Sequence, residues 1–440
     1  MNILAILAGA GLAAAEPLCY RQIVIEDRDG EVADIACVPG SRAPRWAREV
    51  AAETYQWPAP RNEPFFSGPV RFVLPPVDEG EAFLKHNHQP AVTWLANGDL
   101  LAIWYSTLDE NGTELTVLAS RRRAGRDVWD PSAVFFKAAG RNMHGSALIV
   151  DDQGTLHHLN GMAPEGARSW EKLALLHRSS RDFGVTWSPT RAVSPNYQRR
   201  NQVIAGTFQT KAGVLVQPCD AVPGGHGGTA LHLSRDHGLT WHDPGAGEPA
   251  PEFTPDTPGR GTIAGIHAGV AELADGSLLA FGRGDTIGGR MPMSRSADLG
   301  TTWTYSASPF PPIGGGQRLV LLRLREGPLL FVSFTCTGRE NARGRGMDFP
   351  RADGTSFRGY GMFAAVSEDD GKTWPVRKLI TPGQGDYDGG AWTGKFTATP
   401  DNAEHAGYLA ATQTPDGTIH LVSSALHYQF NLPWLRQPAP

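Results

Sequence analysis

The chain has 440 residues, of which 19% are charged, and its formal net charge is −5 at pH 7. Nucleic-acid phosphates bind basic surfaces, so this charge balance argues against a nucleic-acid partner. No apolar run of about eighteen residues follows the N-terminal segment, and we therefore expect no membrane insertion. The chain also contains 52 Gly and 34 Pro. This composition is typical of short strands joined by turns.

The first residues, MNILAILAGAGLAAAEP, have an apolar centre followed by small residues. This pattern predicts a secretory signal peptide over residues 1–15, and hence a secreted or periplasmic protein, although no Lys or Arg precedes the apolar centre. A buried N-terminal helix is the alternative. Apolar and polar residues alternate between Cys19 and Cys37, and this pattern predicts a hairpin. A disulfide between these two cysteines would suit an exported protein. Residues 16–64 are predicted to be this hairpin and a linker.

An octet of fixed spacing occurs four times in the chain. It is written SRDFGVTW, SRDHGLTW, SADLGTTW and SEDDGKTW, beginning at Ser180, Ser234, Ser296 and Ser367. A degraded copy lies over residues 120–129. The Asp can accept backbone N–H groups in a turn, the Gly takes positive φ, and Thr and Trp resume a strand. The octets are therefore predicted to be structural hairpin tips whose Trp packs between neighbouring units.

Pairs of apolar strands separated by a Gly-containing turn alternate with the octets. Six such pairs occur, from AVTWLANGDLLAIWYS in the first to YLAATQTPDGTIHLVSS in the last. A pair and the octet hairpin that follows it make a four-stranded unit of about 55–70 residues, which is the size of a propeller blade. The predicted fold is thus an all-β propeller over residues 65–440, with six blades or alternatively seven.

The last strand pair has no octet of its own. A strand near PVRFVLPP is therefore predicted to complete this unit and close the ring, and the Cys19–Cys37 hairpin is a candidate part of a seventh blade. A β-solenoid is the alternative architecture, and it would need no completion from the other end of the chain.

Residues before the first strand and after the second strand of each unit should meet on the face opposite the octets. Candidate catalytic residues at these positions are His86, His88, Tyr105, His144 and His267. Candidate substrate-binding residues are Arg141, Arg200, Arg283, Asp285, Gln317 and Arg318. Asp220, Trp392 and Tyr408 occupy similar positions. Arginine binds carboxylates in bidentate fashion and histidine transfers protons near neutral pH, so the predicted partner is an acidic oligo- or polysaccharide. No cofactor is predicted to be required; a structural divalent cation is left open.

The octet pattern S-x-D-x-G-x-T-W is similar to the Asp-box of sialidase-like propellers, and this resemblance extends over about residues 66–435. It implies the propeller fold rather than a particular activity. Exo-sialidases use three arginines on the substrate carboxylate, an early Arg-Ile-Pro-like motif, and a Tyr nucleophile paired with Glu. No Arg-Ile-Pro-like stretch occurs in the first unit, and no clear Tyr/Glu pair is evident, with Glu114 and Glu404 as the possible partners.

The stretches HNHQP, RNMHGSAL, GIHAGVAELADGSLLAFGRGD and LHYQFNLPWL resemble propeller lyases that cleave rhamnose–glucuronate linkages. This resemblance implies a His-centred site with Arg and Tyr support. The predicted function is an exo-acting polysaccharide lyase, a monomer, that works by β-elimination. In this prediction Arg141 or Arg200 binds the carboxylate and His86 or His88 is the base, while the acid is His144, His267 or Tyr105. A sialidase-type hydrolase and a non-catalytic glycan-binding propeller are the alternatives.

Overall fold

The computed structural model describes residues 21–40, 42–77, 80, 82–221, 226–337 and 346–439. The predicted signal peptide and Cys19 lie outside these residues. Cys37 takes part in a disulfide, whereas the side chains of Cys219 and Cys336 are buried. In the described ranges, no helix is long and apolar enough to cross a membrane.

Strands account for nearly all of the regular structure. The first half of the chain contains β1 (Gln22–Arg28), β2 (Glu31–Val38), a 3-10 helix (Arg45–Ala47), β3 (Phe66–Arg71), β4 (His86–Trp94), β5 (Leu100–Thr107), β6 (Thr116–Arg122), β7 (Ala133–Ala138), β8 (Ser146–Val150), β9 (Leu156–Met162), β10 (Leu173–Ser180), β11 (Arg191–Gln198), β12 (Gln202–Val203), β13 (Phe208–Gln209), β14 (Leu215–Asp220) and β15 (Thr229–Ser234).

The second half continues in the same way. It contains β16 (Gly259–Arg260), β17 (Ile266–Glu272), β18 (Leu278–Arg283), β19 (Pro292–Ser296), β20 (Thr302–Ala307), β21 (Gln317–Arg318), β22 (Val320–Arg323), β23 (Leu329–Phe334), β24 (Met347–Pro350), β25 (Ser356–Gly359), β26 (Met362–Ser367), β27 (Val376–Leu379), β28 (Gly385–Asp388), β29 (Lys395–Ala398), β30 (Gly407–Tyr408), β31 (Ala410–Gln413), β32 (Ile419–Val422), β33 (Leu426–Phe430) and the helix α1 (Leu432–Arg436).

These strands form antiparallel sheets that succeed one another along the chain in an all-β, propeller-like arrangement. The sheets are β4–β7, β8–β11, β14 with β12, β13 and β15, β17–β20 with β16, the set β22, β23, β26 and β27, and β31–β33 with β3. The innermost strands touch their neighbours in turn, and β4 contacts both β8 and β31. The predicted apolar strand pairs are thus confirmed.

Closure comes from an early strand, as the sequence predicts. β3 pairs antiparallel with β33, with Phe66 opposite Phe430 and Arg71 opposite Leu426. The last sheet is therefore built from both ends of the described chain. A solenoid would leave these two ends far apart.

The N-terminal hairpin does not form a blade of its own, in contrast to its proposed part in a seventh blade. β1 pairs in parallel with β7, where Gln22 is opposite Lys137. β2 pairs with β11 through Glu31 and Asn196. The hairpin thus links the outer edges of two neighbouring sheets into one 10-stranded sheet. Their outermost strands consequently have hydrogen-bonding partners instead of open edges.

The octets are structural turns, as predicted. In the third copy, Ser296 Oγ donates to Asp298 Oδ1 at 2.9 Å and Gly300 N donates to Ser296 Oγ at 2.8 Å. Thr302 donates to both Asp298 oxygens, from its backbone N at 2.8 Å and from its hydroxyl at 2.7 Å. The other three copies repeat this pattern. The carboxylate of each Asp accepts hydrogen bonds that close its own turn.

The octet Trp acts as a wedge between sheets. The Trp374 ring centroid lies 5.9 Å from that of Phe281 in one sheet and 6.0 Å from that of Phe331 in the next. Octet residues also touch the turns of the inner hairpins, for example Asp370, which accepts a hydrogen bond from Ala274 N. Octets and inner turns therefore share one face, and the starts of the inner strands lie on the other.

Replacing Asp298 by Ala should destabilise the fold without changing the chemistry. Three hydrogen bonds to its carboxylate are lost, and we expect the free energy of unfolding to fall by about 1–3 kcal/mol. Urea unfolding followed by tryptophan fluorescence measures this loss, and Thr302→Val, which removes one of the three bonds, should show a smaller one. A folded Asp298→Ala protein with lost activity but unchanged stability would contradict the structural role of the octet.

Candidate active site

Two inner strands are irregular at the end opposite the octets. β4 has a register shift between His88 and Ala91, and β17 has one between Ile266 and Gly269. The residues at these shifts, Gln89 and His267, have φ values of 57° and 53°. In β4 the cause is local, because Pro90 has no N–H to donate to the ladder. Bulges of this kind redirect side chains, and here they accompany two buried histidines.

His88, His267 and Tyr408 form the centre of a buried cluster. The His88 and Tyr408 ring centroids are 3.9 Å apart, and His267 Nε2 lies 2.8 Å from Tyr408 Oη. His267 Nδ1 is 2.5 Å from Asp220 Oδ2, although the angle between them is not that of a good hydrogen bond. His88 Nδ1 is 3.0 Å from Ser424 Oγ, and its Nε2 has no hydrogen-bond partner among the described residues.

These imidazoles are neutral at physiological pH. Burial lowers the pKa of His88 well below its usual value. Burial and then the charge of Arg283 lower the pKa of His267 to about 4. Burial also raises the pKa of Tyr408, so its hydroxyl keeps its proton. These contacts fit a tautomer of His267 in which Nε2 accepts from Tyr408 and the proton on Nδ1 faces Asp220.

A second group of proton-carrying side chains adjoins the first. Tyr105 Oη donates to Glu110 Oε1 at 2.7 Å, and His86 Nε2 lies 3.3 Å from the same oxygen. The ring centroids of His144 and Tyr105 are 5.2 Å apart. Asn142 donates to the Glu110 carbonyl at 2.7 Å and so fixes the loop that carries this carboxylate.

The charges of this second group are set by burial and by hydrogen bonds. Burial acts to raise the pKa of Glu110, but the hydrogen bonds from His86 and Tyr105 act in the opposite direction, and the pKa is lowered. Burial lowers the pKa of His144 to about 4. Its Nδ1 has no hydrogen-bond partner in the described part of the chain. The site thus contains an ionised Glu110 near the neutral imidazoles of His88 and His144.

Two arginines face the same tyrosine. Arg283 Nη1 donates to Tyr408 Oη and to the Gln317 carbonyl, both at 3.0 Å. The parallel pairing of β21 with β30 places Arg318 beside Tyr408, and its guanidinium carbon is 5.2 Å from the ring centroid. Burial lowers the pKa of Arg318 to about 10, which leaves it cationic at neutral pH. Its Nη1 is buried and has no hydrogen-bond partner among the described residues.

Seven of the eleven predicted site residues come together here. They are His86, His88, Tyr105, His144, His267, Arg283 and Arg318. Gln317 lies beside them, but its side chain donates to the carbonyls of Cys336 and His405 and serves to hold loops. Asp285 faces His226 Nδ1 at 3.5 Å instead of the cluster.

Arg141 and Arg200 are engaged elsewhere, which corrects their predicted role as carboxylate-binding residues. Arg141 donates to Asp27 at 2.9 Å and to Tyr197 at 2.8 Å, and thereby ties the N-terminal hairpin to the sheets. Arg200 makes a bidentate pair with Asp243, with distances of 2.5 and 2.9 Å. Both guanidinium groups already have carboxylate partners.

Replacing Arg141 by Met should therefore affect stability and not substrate binding. Loss of the ion pair with Asp27 leaves a half-buried carboxylate without its cation, and we expect the free energy of unfolding to fall by about 2 kcal/mol. Chemical denaturation measures this loss, with KM for an acidic glycan as the second readout. A KM raised tenfold at unchanged stability would instead support the role predicted from sequence.

The sequence pattern does not single out Glu110, and it places Asp220 and Tyr408 only at positions similar to those of the candidate site residues. Glu110 follows Tyr105 by five positions in the loop after β5, and this spacing is the signal that could have revealed the pair. The expectation that no clear Tyr/Glu pair exists is wrong. Besides Tyr105–Glu110, Tyr428 Oη donates to Glu404 at 2.8 Å, as the sequence allowed for Glu404.

The side chains best placed to hold a metal lie on the octet face. Asp151, Asp152 and His237 offer ligand atoms within 4.8 Å of one another, and within the described ranges they are the one such group of three. His237 belongs to the second octet, and the two Asp residues to the β8–β9 turn. This group is therefore separate from the histidine cluster.

The strand arrangement and the octets are those of a sialidase-like propeller. The profile of the BNR repeat-like domain matches residues 98–421, and the chain belongs to this family. It is 24% identical over 383 residues to a sialidase of Micromonospora viridifaciens, covering 79% of this chain and 51% of that protein. The chain thus spans about half the length of this curated relative.

Solved structures share the fold. The chain is similar to a protein of unknown function from Dyadobacter fermentans, with a TM-score of 0.52 and 16% identity over 83% of this chain and 98% of that one. It is also similar to the intramolecular trans-sialidase from Ruminococcus gnavus, with a TM-score of 0.52 and 13% identity over 82% of this chain and 97% of that one.

Proposed function

We propose that this protein is a polysaccharide lyase that acts at the end of an acidic glycan and cleaves a rhamnose–glucuronate-type linkage by β-elimination. One observation carries the proposal. Neutral His88 and His144 each have an unbonded ring nitrogen in the same cluster as Arg318, whose Nη1 is also unbonded among the described residues. A base with an available lone pair therefore lies near a cation suited to a carboxylate.

The chemistry follows from these groups. Arg318 and Arg283 bind the C6 carboxylate of a uronate, which makes the C5 proton more acidic. His88 Nε2 removes that proton, the electron pair forms the C4–C5 double bond, and the C4–O4 bond breaks. Tyr408 donates its proton to the departing oxygen, and the proton taken up by His88 then returns to the Tyr408 oxygen, which restores both groups. No water is consumed, and the products are an unsaturated uronate and the sugar that was attached at O4.

Glu110 supports the base assignment. As His88 takes up the proton it becomes an imidazolium, and the Glu110 carboxylate acts to raise its pKa. The carboxylate therefore favours the charged form that appears during the reaction and not the resting form. Asp220 has the same relation to His267 on the other side of Tyr408.

Sialidase-type hydrolysis is the second candidate. Tyr408 favours it, because a tyrosine whose hydroxyl contacts His267 and Arg283 resembles a nucleophile activated by a base. The relatives that are named sialidases support the same reading. Against it, exo-sialidases use three arginines to bind the substrate carboxylate, whereas two arginines, Arg283 and Arg318, contact Tyr408 in the described part of the chain.

One incubation separates the two reactions. Uronate-terminated and sialylated oligosaccharides are each mixed with the protein, and the ultraviolet absorbance of the conjugated product and the release of free sugar are followed together. Elimination gives a rise in absorbance with an equal amount of released sugar. Release of sialic acid without a rise in absorbance would support the hydrolase, and binding without product would support a glycan-binding protein.

Two further properties belong to this proposal. We propose a six-bladed ring, since the innermost strands β4, β8, β17, β22 and β31 contact one another in cyclic order, with β12–β14 filling the remaining place.

We also propose that the protein acts outside the cytoplasm. The disulfide at Cys37 supports this location, because disulfides persist in oxidising compartments.

A further inference from the structure

We propose that the hairpin β28–β29 presents Trp392 as a stacking platform for the sugar attached at O4 of the uronate. This inference rests on the proposed function and adds to it the part of the site that recognises the leaving sugar. It makes the favoured substrate a uronate that carries a neutral sugar, and not a uronate alone.

Trp392 is unusually exposed for a tryptophan. Its side chain lies in the connection between the fifth and sixth sheets and is 48% exposed. Its φ is 67°, a left-handed conformation that bulky residues rarely adopt and that costs about 1–3 kcal/mol. An exposed indole gains little burial energy to offset this cost, so packing within the fold cannot by itself explain why a tryptophan occupies the position.

The surrounding structure holds Trp392 in place. Gly316 lies beneath it, and a Cβ added there would come within 3.0 Å of the Trp392 Cβ. Thr393 Oγ1 donates to the Ala406 carbonyl at 2.6 Å and lies 3.2 Å from Glu404 Oε1. Gly394 N donates to the Gly390 carbonyl at 2.7 Å and closes the loop. The indole is thus presented on a fixed support.

The indole stands at the edge of the catalytic cluster. Its ring centroid is 5.8 Å from that of His86, with an interplanar angle of 88°, and 6.2 Å from that of His88, with an angle of 63°. These edge contacts orient the ring beside the base without covering both of its faces. A sugar presents an apolar C–H face, and flat aromatic rings bind such a face while polar groups fix its orientation.

A binding experiment tests this platform separately from the reaction. It uses the His88→Asn protein, in which turnover should be too slow to consume the ligand, and calorimetry with two ligands: free glucuronate and glucuronate bearing rhamnose at O4. Adding Trp392→Ala should weaken binding of the disaccharide by about tenfold and leave binding of free glucuronate unchanged. Trp392→Phe should recover most of the lost affinity.

The control removes an exposed aromatic ring from the other face. Tyr55 is 37% exposed and its ring packs against Trp57, and Tyr55→Ala should bind both ligands as the parent does. The platform proposal would be overturned if the disaccharide bound equally well to the His88→Asn protein with and without Trp392→Ala. It would also be overturned if the disaccharide showed no measurable binding to the His88→Asn protein. If the wild-type protein produces no unsaturated uronate but the Trp392 effect persists, the lyase proposal fails while the platform stands.

Discussion

Replacing His88 by Asn is expected to lower turnover of a uronate-containing disaccharide by about a hundredfold to ten-thousandfold, the range that a general base contributes. The side chain is fully buried, and its Nε2 has no hydrogen-bond partner among the described residues. Asn is smaller but polar, and can retain a hydrogen bond with Ser424, which accepts from His88 Nδ1 when Nε2 is the base. Steady-state kinetics should show the loss in kcat, with KM changed little.

The pH profile distinguishes a base from a merely structural histidine. Because burial holds the pKa of His88 well below 6.5, its lone pair stays available as the pH falls through 6.5. We expect kcat/KM to stay level there and to decline only at lower pH, where the imidazole becomes protonated. His232→Asn is the control, since it removes a buried imidazole outside the cluster. Undiminished activity in both His88→Asn and His86→Asn would refute the base assignment.

Replacing Tyr408 by Phe is the second change with a large expected effect. The hydroxyl contacts His267 Nε2 and accepts from Arg283 Nη1, and no other atom of the side chain is removed. We expect turnover to fall by about a hundredfold or more, since the departing oxygen loses its proton donor. The loss should shrink for substrates whose leaving group is a weak base, because such groups need no proton. Kinetics with a series of O4 leaving groups measures this dependence.

Tyr305→Phe is the matched control for Tyr408. Tyr305 is buried and its hydroxyl donates to the Thr262 carbonyl at 2.7 Å, away from the cluster. Its loss should cost stability alone, by about 1 kcal/mol. A Tyr408→Phe protein that loses the same activity with every leaving group would show that Tyr408 has a role other than proton donor.

The repeats made the fold predictable from the sequence. The Ser-Asp-Gly-Thr-Trp pattern determines a turn by itself, because Asp298 and its equivalents accept hydrogen bonds from residues of their own octet. Alternating apolar residues then define the strands between the octets. The position of β3 beside β33 was also predictable, because the last unit lacked a fourth strand.

The partners of individual side chains were not predictable in the same way. Arg141 and Arg318 both precede or begin inner strands, yet Asp27 of a distant hairpin pairs with the first and no carboxylate pairs with the second in the described ranges. Nothing in the sequence near Arg141 indicates that pairing. The sequence predicted that His88 and His267 lie on the face opposite the octets, but their closeness to Tyr408 depends on bulges in two separate strands.

The central claim is that the C5 proton of a uronate is removed. The most direct test uses a rhamnosyl-glucuronate disaccharide deuterated at C5, with mass spectrometry of the uronate product. We predict a product that has lost the deuterium and gained a C4–C5 double bond, without addition of water. A uronate product that keeps the deuterium and has gained the elements of water would contradict the claim and establish hydrolysis.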